Sequence, residues 1–262
     1  MKSQDTMFEH ELEVFRKEAE AGIQFLYAYF AVHAVAADHK SVYNLLNRAP
    51  LFWNTAPGAL QTAAFMALGR VFDHNSPHNL SVLLRMAQEH VEIFSKEALR
   101  RRKQGTNPDR PNWLDNYMKD VYEPTTKDFR RLRSHVHKWR QIYEINYSDI
   151  RHKLFAHKQV SEQAQTDGLF EKTNVKELQR MFVFWGSLHD ALWNLFFNGH
   201  KPVLRPRRYS VRQLRDKPLP QGWIRTVQEH IVQEVHQFLL ESCRLPQHDL
   251  KDSKRKRRRN HR

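Results

Sequence analysis

The N-terminal part of the chain carries an apolar pattern that only a long helix satisfies. Apolar and small residues recur there at alternating steps of four and three: Phe8, Leu12, Phe15, Ala19, Gly22, Leu26, Tyr29 and His33. This spacing places them on one face of an α-helix, and that face must be covered by other elements. Thr6, followed three residues later by Glu9, resembles a capping box and predicts the start of the helix.

Further apolar stripes with helical period follow along the chain. They predict helices at about 53–73, 80–99, 124–150 and 174–198, and a last helix that begins near residue 227. Asn174 with Glu177 again resembles a capping box, and Gly199 fits the C-terminal cap of that helix. Strand-like alternation is nearly absent, and only residues 209–214, YSVRQL, favour a short strand. The predicted fold is all-α, a bundle of four or more helices.

Positive charge is concentrated near the C-terminus. The formal net charge is +14, and residues 199–225 and 251–262 each carry eight Lys or Arg against one Asp, so the rest of the chain is neutral. We therefore divide the chain into a helical bundle at 1–198, a basic proline-containing connector at 199–222, a C-terminal helix at 223–246 and a basic disordered tail at 247–262. Such basic blocks attract polyanions, usually RNA or DNA, although a solvated tail is an equal explanation for the last segment.

Several function classes lose their support in the sequence. The single cysteine, Cys243, excludes an intrachain disulfide framework and a multi-cysteine zinc site, and the histidines form no recognisable ligand set. Glycine-rich phosphate loops and the GxSxG motif are absent from the sequence. We therefore expect no metal and no cofactor. The sequence contains no long uncharged apolar run, and its acidic start is unlike a signal peptide, so we expect a soluble cytoplasmic protein without a membrane partner.

The segment SDIRHKLFAHK, residues 148–158, is the strongest candidate for chemistry. RNA can be cleaved without a metal if a histidine such as His157 removes or delivers a proton and an arginine such as Arg151 neutralises the phosphate. In an unbroken α-helix six residues turn by about 600°, which leaves these side chains roughly 120° apart. Either the helix breaks before His157 or a second subunit supplies the partner group. The spacing alone favours structural roles for both residues, because short motifs match by accident.

A resemblance to a known family favours functional roles for Arg151 and His157. IRHKLFAHK resembles the signature of the HEPN superfamily, in which an arginine is followed a few residues later by a histidine. The longer resemblance is to the AbiU type of HEPN domain, from abortive infection: it includes Phe52-Trp53, the LGRVFD run at 68–73 and SVLL at 81–84. It covers roughly residues 8–198 and leaves out the connector and the tail. It implies a helical bundle and a metal-independent RNase of antiviral defence or of a toxin–antitoxin system.

The resemblance also implies roles for individual residues. Arg151 matches the motif arginine and His157 the motif histidine, and in the superfamily these two act together, usually in a cleft shared by the subunits of a homodimer. Arg70 and Asp73 match polar positions of the second helix, where they either line the same cleft or form a buried pair with each other. Two further accessory candidates are Asp149 and His152; many HEPN proteins have Asn or Asp at the position of His152.

Together these observations predict an endoribonuclease that leaves 2′,3′-cyclic phosphate ends. The residues expected to bind RNA are Lys153, Lys158, Arg205, Arg207, Arg208, Tyr209 and Arg212. Tyr209 among the arginines can stack on a base, and packing against the bundle explains it equally well. The alternative is a non-catalytic basic RNA-binding protein or a scaffold subunit of a defence complex, since some HEPN domains are thought to have lost catalysis. An antitoxin or another defence protein is a further expected partner.

Overall fold

The regular structure of this chain is helical. A computed structural model describes residues 3–105, 111–156, 163–216, 222 and 224–244, and within these ranges no strand occurs, which confirms the all-α prediction. The α-helices in chain order are α1 (Gln4–Asp38), α2 (Lys40–Leu46), α3 (Pro50–Phe72), α4 (Leu80–Glu89), α5 (Lys96–Gln104), α6 (Leu114–Lys119), α7 (Thr126–Asn146), α8 (Gln163–Phe170), α9 (Val175–Asn198), α10 (Val211–Asp216) and α11 (Val227–Arg244).

Helix α1 is the central helix, and it packs against α3, α9 and α11. It begins earlier than predicted, because the Ser3 hydroxyl, rather than a Thr6–Glu9 box, accepts the N–H of Thr6. The predicted apolar stripe is buried as far as Leu26, but His33 is exposed. Towards its C-terminal end α1 buries a different face, with Val35 packed against α2 and α11. The expectation that His33 lies in the core was wrong because the covering helices change along α1.

Helix α9 lies within the core, and both of its ends follow the predicted sequence signals. The Asn174 side chain accepts the N–H groups of Lys176 and Glu177, and Gly199 adopts φ +61°, the left-handed conformation that glycine favours at a helix C-terminus. The capping box itself does not close, because the Glu177 carboxylate instead accepts the Tyr147 hydroxyl at 3.0 Å. This contact fastens the start of α9 to the end of α7.

Two predicted helices are interrupted. The stretch expected at 80–99 divides into α4, a short 3₁₀ segment at Val91–Phe94, and α5. The helix expected at 124–150 ends at Asn146, and Ile150–Ala156 forms a π-helical segment. A π-helix is wider than an α-helix because its hydrogen bonds join residues five apart, and it is common at functional sites. The prediction of an α-helix through Ile150 was therefore wrong, and the sequence around Arg151 does not follow ideal α-helical geometry.

The first part of the basic connector is folded onto the bundle. Backbone carbonyls of the connector accept side-chain donors from three helices: Tyr27 donates to Tyr209, Ser187 to Arg205, and Arg131 to Pro202. The strand expected at 209–214 was wrong, because residues 211–216 form α10. Val211 and Leu214, three residues apart, both lie on its buried face. Residues 217–221 and the predicted basic tail lie outside the described residues.

Candidate active site

The C-terminal end of α3 meets the π-helical segment at a cluster of charged and polar side chains. Gly69 and Asp73 lie four residues apart and therefore on one side of α3, facing the π-helical segment. Asp73 is the C-terminal cap of α3, and its N–H donates to the Gly69 carbonyl at 2.8 Å. Arg151 is the second residue of the π-helical segment, and its side chain reaches both of these positions.

A largely buried ion pair is the centre of this cluster. Nη1 of Arg151 lies 2.8 Å from Oδ2 of Asp73, and the two side chains are only 17% and 20% exposed. The Tyr143 hydroxyl donates to the other carboxylate oxygen of Asp73 at 2.6 Å. Both carboxylate oxygens are therefore engaged by protein donors. Partial burial makes such a pair stronger than an ordinary surface ion pair, because water screens it less.

Gly69 makes room for the guanidinium. A Cβ atom at this position would lie 2.6 Å from Nε of Arg151 and 2.9 Å from its Cζ. The Arg151 side chain therefore crosses directly over the backbone of α3. Its Nε atom is buried and has no hydrogen-bond partner among the described residues. Glycine inside a helix costs about 0.5–1 kcal/mol relative to alanine, and this close approach is a structural reason for it.

Two tyrosines hold the elements on which the cluster is built. The Tyr143 ring stacks on Phe72 with centroids 5.5 Å apart, and Tyr147 hydrogen-bonds to Glu177 at the start of α9. Burial raises the pKa of both hydroxyls, and the neighbouring carboxylates, Asp73 and Glu177, raise each pKa further. Both tyrosines therefore stay protonated and act as hydrogen-bond donors at neutral pH.

His152 lies at the solvent side of the ion pair. Its ring nitrogens are 3.1 Å from Nη1 of Arg151, and Nε2 is 3.9 Å from Oδ2 of Asp73. The side chain is 43% exposed, so a ligand can reach it from solvent. Of the expected accessory residues, Asp73 and His152 are thus the two that the structure brings to Arg151.

The other expected accessory residues make different contacts. Arg70 does not pair with Asp73: its Nε donates to the Glu18 carboxylate of α1 at 2.6 Å, on the surface. Asp149 and Lys153 form an exposed ion pair of 2.9 Å with each other. His157 and Lys158 lie outside the described residues. Of the two motif residues, only Arg151 therefore lies within the described part of the chain.

The connector residues expected to bind RNA separate into two groups. Arg207 is largely buried, and its Nη2 donates to the Gly186 carbonyl at 3.2 Å and to the Asp190 carboxylate. The Tyr209 hydroxyl accepts Nη2 of Arg180 at 2.7 Å, and that guanidinium lies 4.7 Å from the ring centroid. These contacts tie the two side chains to α9. Arg208 is partly buried, whereas the side chains of Arg205 and Arg212 are exposed to solvent.

Sequence reasoning missed two residues of the cluster. Within the helix predicted at 124–150, Tyr143 falls on the apolar stripe, and nothing local in the sequence identifies the partner of its hydroxyl. Gly69 belongs to the LGRVFD run but was not assigned a role. The helix predicted at 53–73 contains two glycines, Gly58 and Gly69, and nothing in the sequence indicates which of them another group approaches closely.

The fold and the cluster define an all-α bundle with a buried arginine–aspartate pair at the junction of α3 and a π-helical segment. Within the described residues no three His, Cys, Asp or Glu side chains are placed to hold a metal ion, and no helix is long and apolar enough to cross a membrane. The HEPN-type family model described as AbiU2 matches residues 5–215. The chain belongs to this AbiU2 family, a HEPN family of abortive-infection defence.

The extent of the family match corrects one expectation. The resemblance was expected to end near residue 198, but the match continues to residue 215 and takes in most of the connector. This agrees with the docking of residues 199–216 on the bundle, where they form part of the folded unit. Comparison with curated proteins and comparison with solved structures each returned no match.

Proposed function

We propose that this AbiU2-type protein is a metal-independent endoribonuclease of antiviral defence or of a toxin–antitoxin system. Arg151 holds and neutralises the scissile phosphate, and His157 is the general base or acid. The observation that supports this proposal most directly is the placement of Arg151. Its position requires a glycine inside a helix and the partial burial of two charges, and both features destabilise a fold. Surface arginines that serve only solubility have no such requirement.

The proposed reaction uses groups of the protein and of the RNA. The base takes the proton of a 2′-hydroxyl, and that oxygen forms a bond to the adjacent phosphorus while the bond to the 5′-oxygen breaks. The leaving 5′-oxygen receives a proton, so the products are a 2′,3′-cyclic phosphate and a 5′-hydroxyl. Arg151 lowers the barrier by neutralising charge that develops on the phosphoryl oxygens. DNA is not a substrate, because it lacks the 2′-hydroxyl.

The proposed assembly is a homodimer with a shared cleft, and RNA is the proposed ligand. Exposed cations on the connector and α10, at Arg205 and Arg212, support electrostatic binding of a polyanion. Lys153, within the motif, and Lys158, directly after it, are proposed to contact the RNA backbone near the cut. A partner antitoxin or defence protein is proposed to cover the same basic surface.

The alternative proposal is a non-catalytic RNA-binding or scaffold protein. The exposed connector cations favour it independently of Arg151, because they can bind a polyanion without chemistry. It predicts that deletion of residues 251–262 abolishes function, whereas Arg151→Ala leaves function intact. The endoribonuclease proposal instead predicts that Arg151→Ala abolishes function.

RNA cleavage in the presence of EDTA tests the endoribonuclease proposal. Wild-type protein is expected to leave cyclic phosphate ends, and His157→Ala is expected to lower the rate by about 10²–10⁴-fold, the usual contribution of a general base or acid. Arg151→Ala is expected to lower it by about 10²–10³-fold, as for loss of a transition-state donor. RNA affinity should largely survive His157→Ala.

The matched controls remove a histidine and an arginine that lie outside the proposed site. His137 and Arg133 are exposed on α7, and their alanine variants should cleave at the wild-type rate. Absence of cleavage together with salt-sensitive RNA binding supports the alternative function. Undiminished cleavage by His157→Ala contradicts the site assignment.

A further inference from the structure

In this structure Arg151 is not arranged to bind a phosphate through two parallel N–H groups. An arginine fork presents either its two Nη groups or Nε with one Nη to a pair of phosphate oxygens. Nη1 of Arg151 is occupied by Asp73 at 2.8 Å, and Nε is buried against Gly69. A phosphate therefore competes with the Asp73 carboxylate for Nη1.

The competing carboxylate is held firmly in place. The Tyr143 hydroxyl donates to Oδ1 at 2.6 Å, and the Tyr143 ring is stacked on Phe72, the residue before Asp73. The backbone of Asp73 is fixed by its hydrogen bond to Gly69. Asp73 thus cannot leave Arg151 by a simple rotation of its side chain without losing the hydrogen bond from Tyr143.

We propose that Asp73 is an autoinhibitory residue, which neutralises Arg151 in the resting chain and must be displaced from Nη1 before Arg151 binds an RNA phosphodiester. This inference rests on the proposed function, because it takes RNA as the ligand of Arg151. The carboxylate also repels an approaching phosphate, and a like charge this close lowers affinity. Any trigger that draws Asp73 away from Arg151 then activates the site.

A purely positioning role for Asp73 makes the opposite prediction. If Asp73 only held Arg151 in the orientation that RNA requires, loss of its charge would leave Arg151 less ordered and RNA binding weaker. If Asp73 blocks Arg151, loss of its charge strengthens RNA binding. The direction of the change in affinity therefore separates the two roles.

The test measures binding of a 2′-O-methyl RNA oligonucleotide, which has no free 2′-hydroxyl and cannot be cleaved by the proposed reaction. The full chain with Asp73→Asn, which keeps the size of the side chain, is expected to bind about tenfold more tightly than wild type. The control is Glu18→Gln, which removes a carboxylate from the Glu18–Arg70 pair and leaves Arg151 untouched. It should change the affinity by less than about twofold.

A double variant attributes the gain to Arg151. In the Arg151→Ala background, Asp73→Asn should bring no increase in affinity; an equal increase there, or unchanged or weaker binding by Asp73→Asn alone, overturns the inference. Should Asp73→Asn fail to fold, Tyr143→Phe loosens the same carboxylate and should strengthen binding by about two- to threefold. Unchanged or weaker binding by Tyr143→Phe then overturns the inference.

Cleavage of an unmodified oligonucleotide by the same variants separates this inference from the proposed function. If wild type cleaves and Asp73→Asn binds no more tightly, the autoinhibitory role fails and the endoribonuclease stands. If no variant cleaves while Asp73→Asn gains affinity through Arg151, the endoribonuclease fails and the blocking contact stands. If both hold, Asp73→Asn should also cleave faster than wild type.

Discussion

At the scale of single residues, the position of Arg151 depends on the absence of a side chain at Gly69. The guanidinium crosses α3 where Gly69 has no Cβ, and Asp73, one turn further along the helix, supplies the opposite charge. The spacing of four residues puts the gap and the carboxylate on the same face of α3. This is a physical explanation for three features of the LGRVFD run: its glycine, its terminal aspartate, and the Phe72 ring on which Tyr143 stacks.

Gly69→Ala should displace Arg151. The new Cβ would lie 2.6 Å from Nε, so the guanidinium must move, and RNA cleavage is expected to fall by at least about tenfold through misplacement of the phosphate-binding group. The steric cost of about 1–3 kcal/mol should exceed the gain in helix propensity, so that urea unfolding shows a lower stability.

Gly58 in the same helix provides the control. Nothing lies within 4 Å of a Cβ at this position, so Gly58→Ala should stabilise the protein by about 0.5–1 kcal/mol and leave cleavage unchanged. Wild-type cleavage by Gly69→Ala would contradict the importance of the close approach.

At the scale of elements, the end of α7 fixes the π-helical segment. Tyr143 and Tyr147 lie one turn apart near the end of α7, and their hydroxyls bind Asp73 after α3 and Glu177 at the start of α9. Phe155 of the π-helical segment packs against Phe65 of α3, with centroids 4.9 Å apart. The segment is therefore fixed at both ends by neighbours distant in sequence.

These two tyrosines should make the fold sensitive to alkali. Their pKa values are raised in the folded chain, whereas an unfolded tyrosine has a pKa of about 10. The unfolded chain therefore loses these protons first, and their contribution to stability is complete below pH ~10 and is lost as the pH rises above it. Each group should lower the free energy of unfolding by about 1.4 kcal/mol per pH unit in that window.

Urea unfolding at pH 8 and above pH 10 measures this effect. Tyr143→Phe and Tyr147→Phe should each show a smaller fall in stability with pH than wild type. Tyr43→Phe, at an exposed position, should fall as wild type does. An identical pH dependence in all four proteins would be inconsistent with the raised pKa values.

At the scale of the whole molecule, residues 199–216 of the connector are folded onto the bundle, and their cations differ in their surroundings. Arg207 is neutralised by Asp190, and Arg215 pairs with both Asp38 and Asp216. Exposed Arg205 and Arg212 keep their side chains in solvent. The number of Lys and Arg residues in the connector is therefore larger than the number of cations available to bind a polyanion.

Two arginines of the connector should respond differently to removal. Arg205→Ala is expected to weaken RNA binding and to reduce the slope of log affinity against log salt concentration by about 0.7, with stability changed by less than about 0.5 kcal/mol. Arg207→Ala should destabilise the protein by about 1–3 kcal/mol, since it leaves Asp190 and the Gly186 carbonyl without this donor. Its salt slope should stay close to that of wild type.

Affinity measured over a range of salt concentrations, together with urea unfolding, distinguishes the two variants. A large loss of stability in Arg205→Ala, or a reduced salt slope in Arg207→Ala, would contradict this division of the connector.

The sequence predicted the presence of the helices better than the positions at which they are interrupted. Asn174 and Gly199 marked the ends of α9 correctly, because capping depends on neighbouring residues. The α-helical part of the predicted helix at 124–150 ends at Asn146, because contacts of Tyr147 and Phe155 with distant helices override local preference. For the same reason VRQL, the last four residues of the YSVRQL stretch, became part of α10: burial of Val211 and Leu214 decided their conformation.

The sequence by itself determined the helical class, the main helices and the family, since hydrophobic period, caps and motif residues are local properties. It also singled out Arg151. Only the tertiary structure decided that Arg151 pairs with Asp73 over Gly69, that Arg70 turns instead to Glu18, and that Arg207 is held by Asp190. Which opposite charges meet depends on how helices pack across long sequence separations, and the local pattern along the chain does not contain that information.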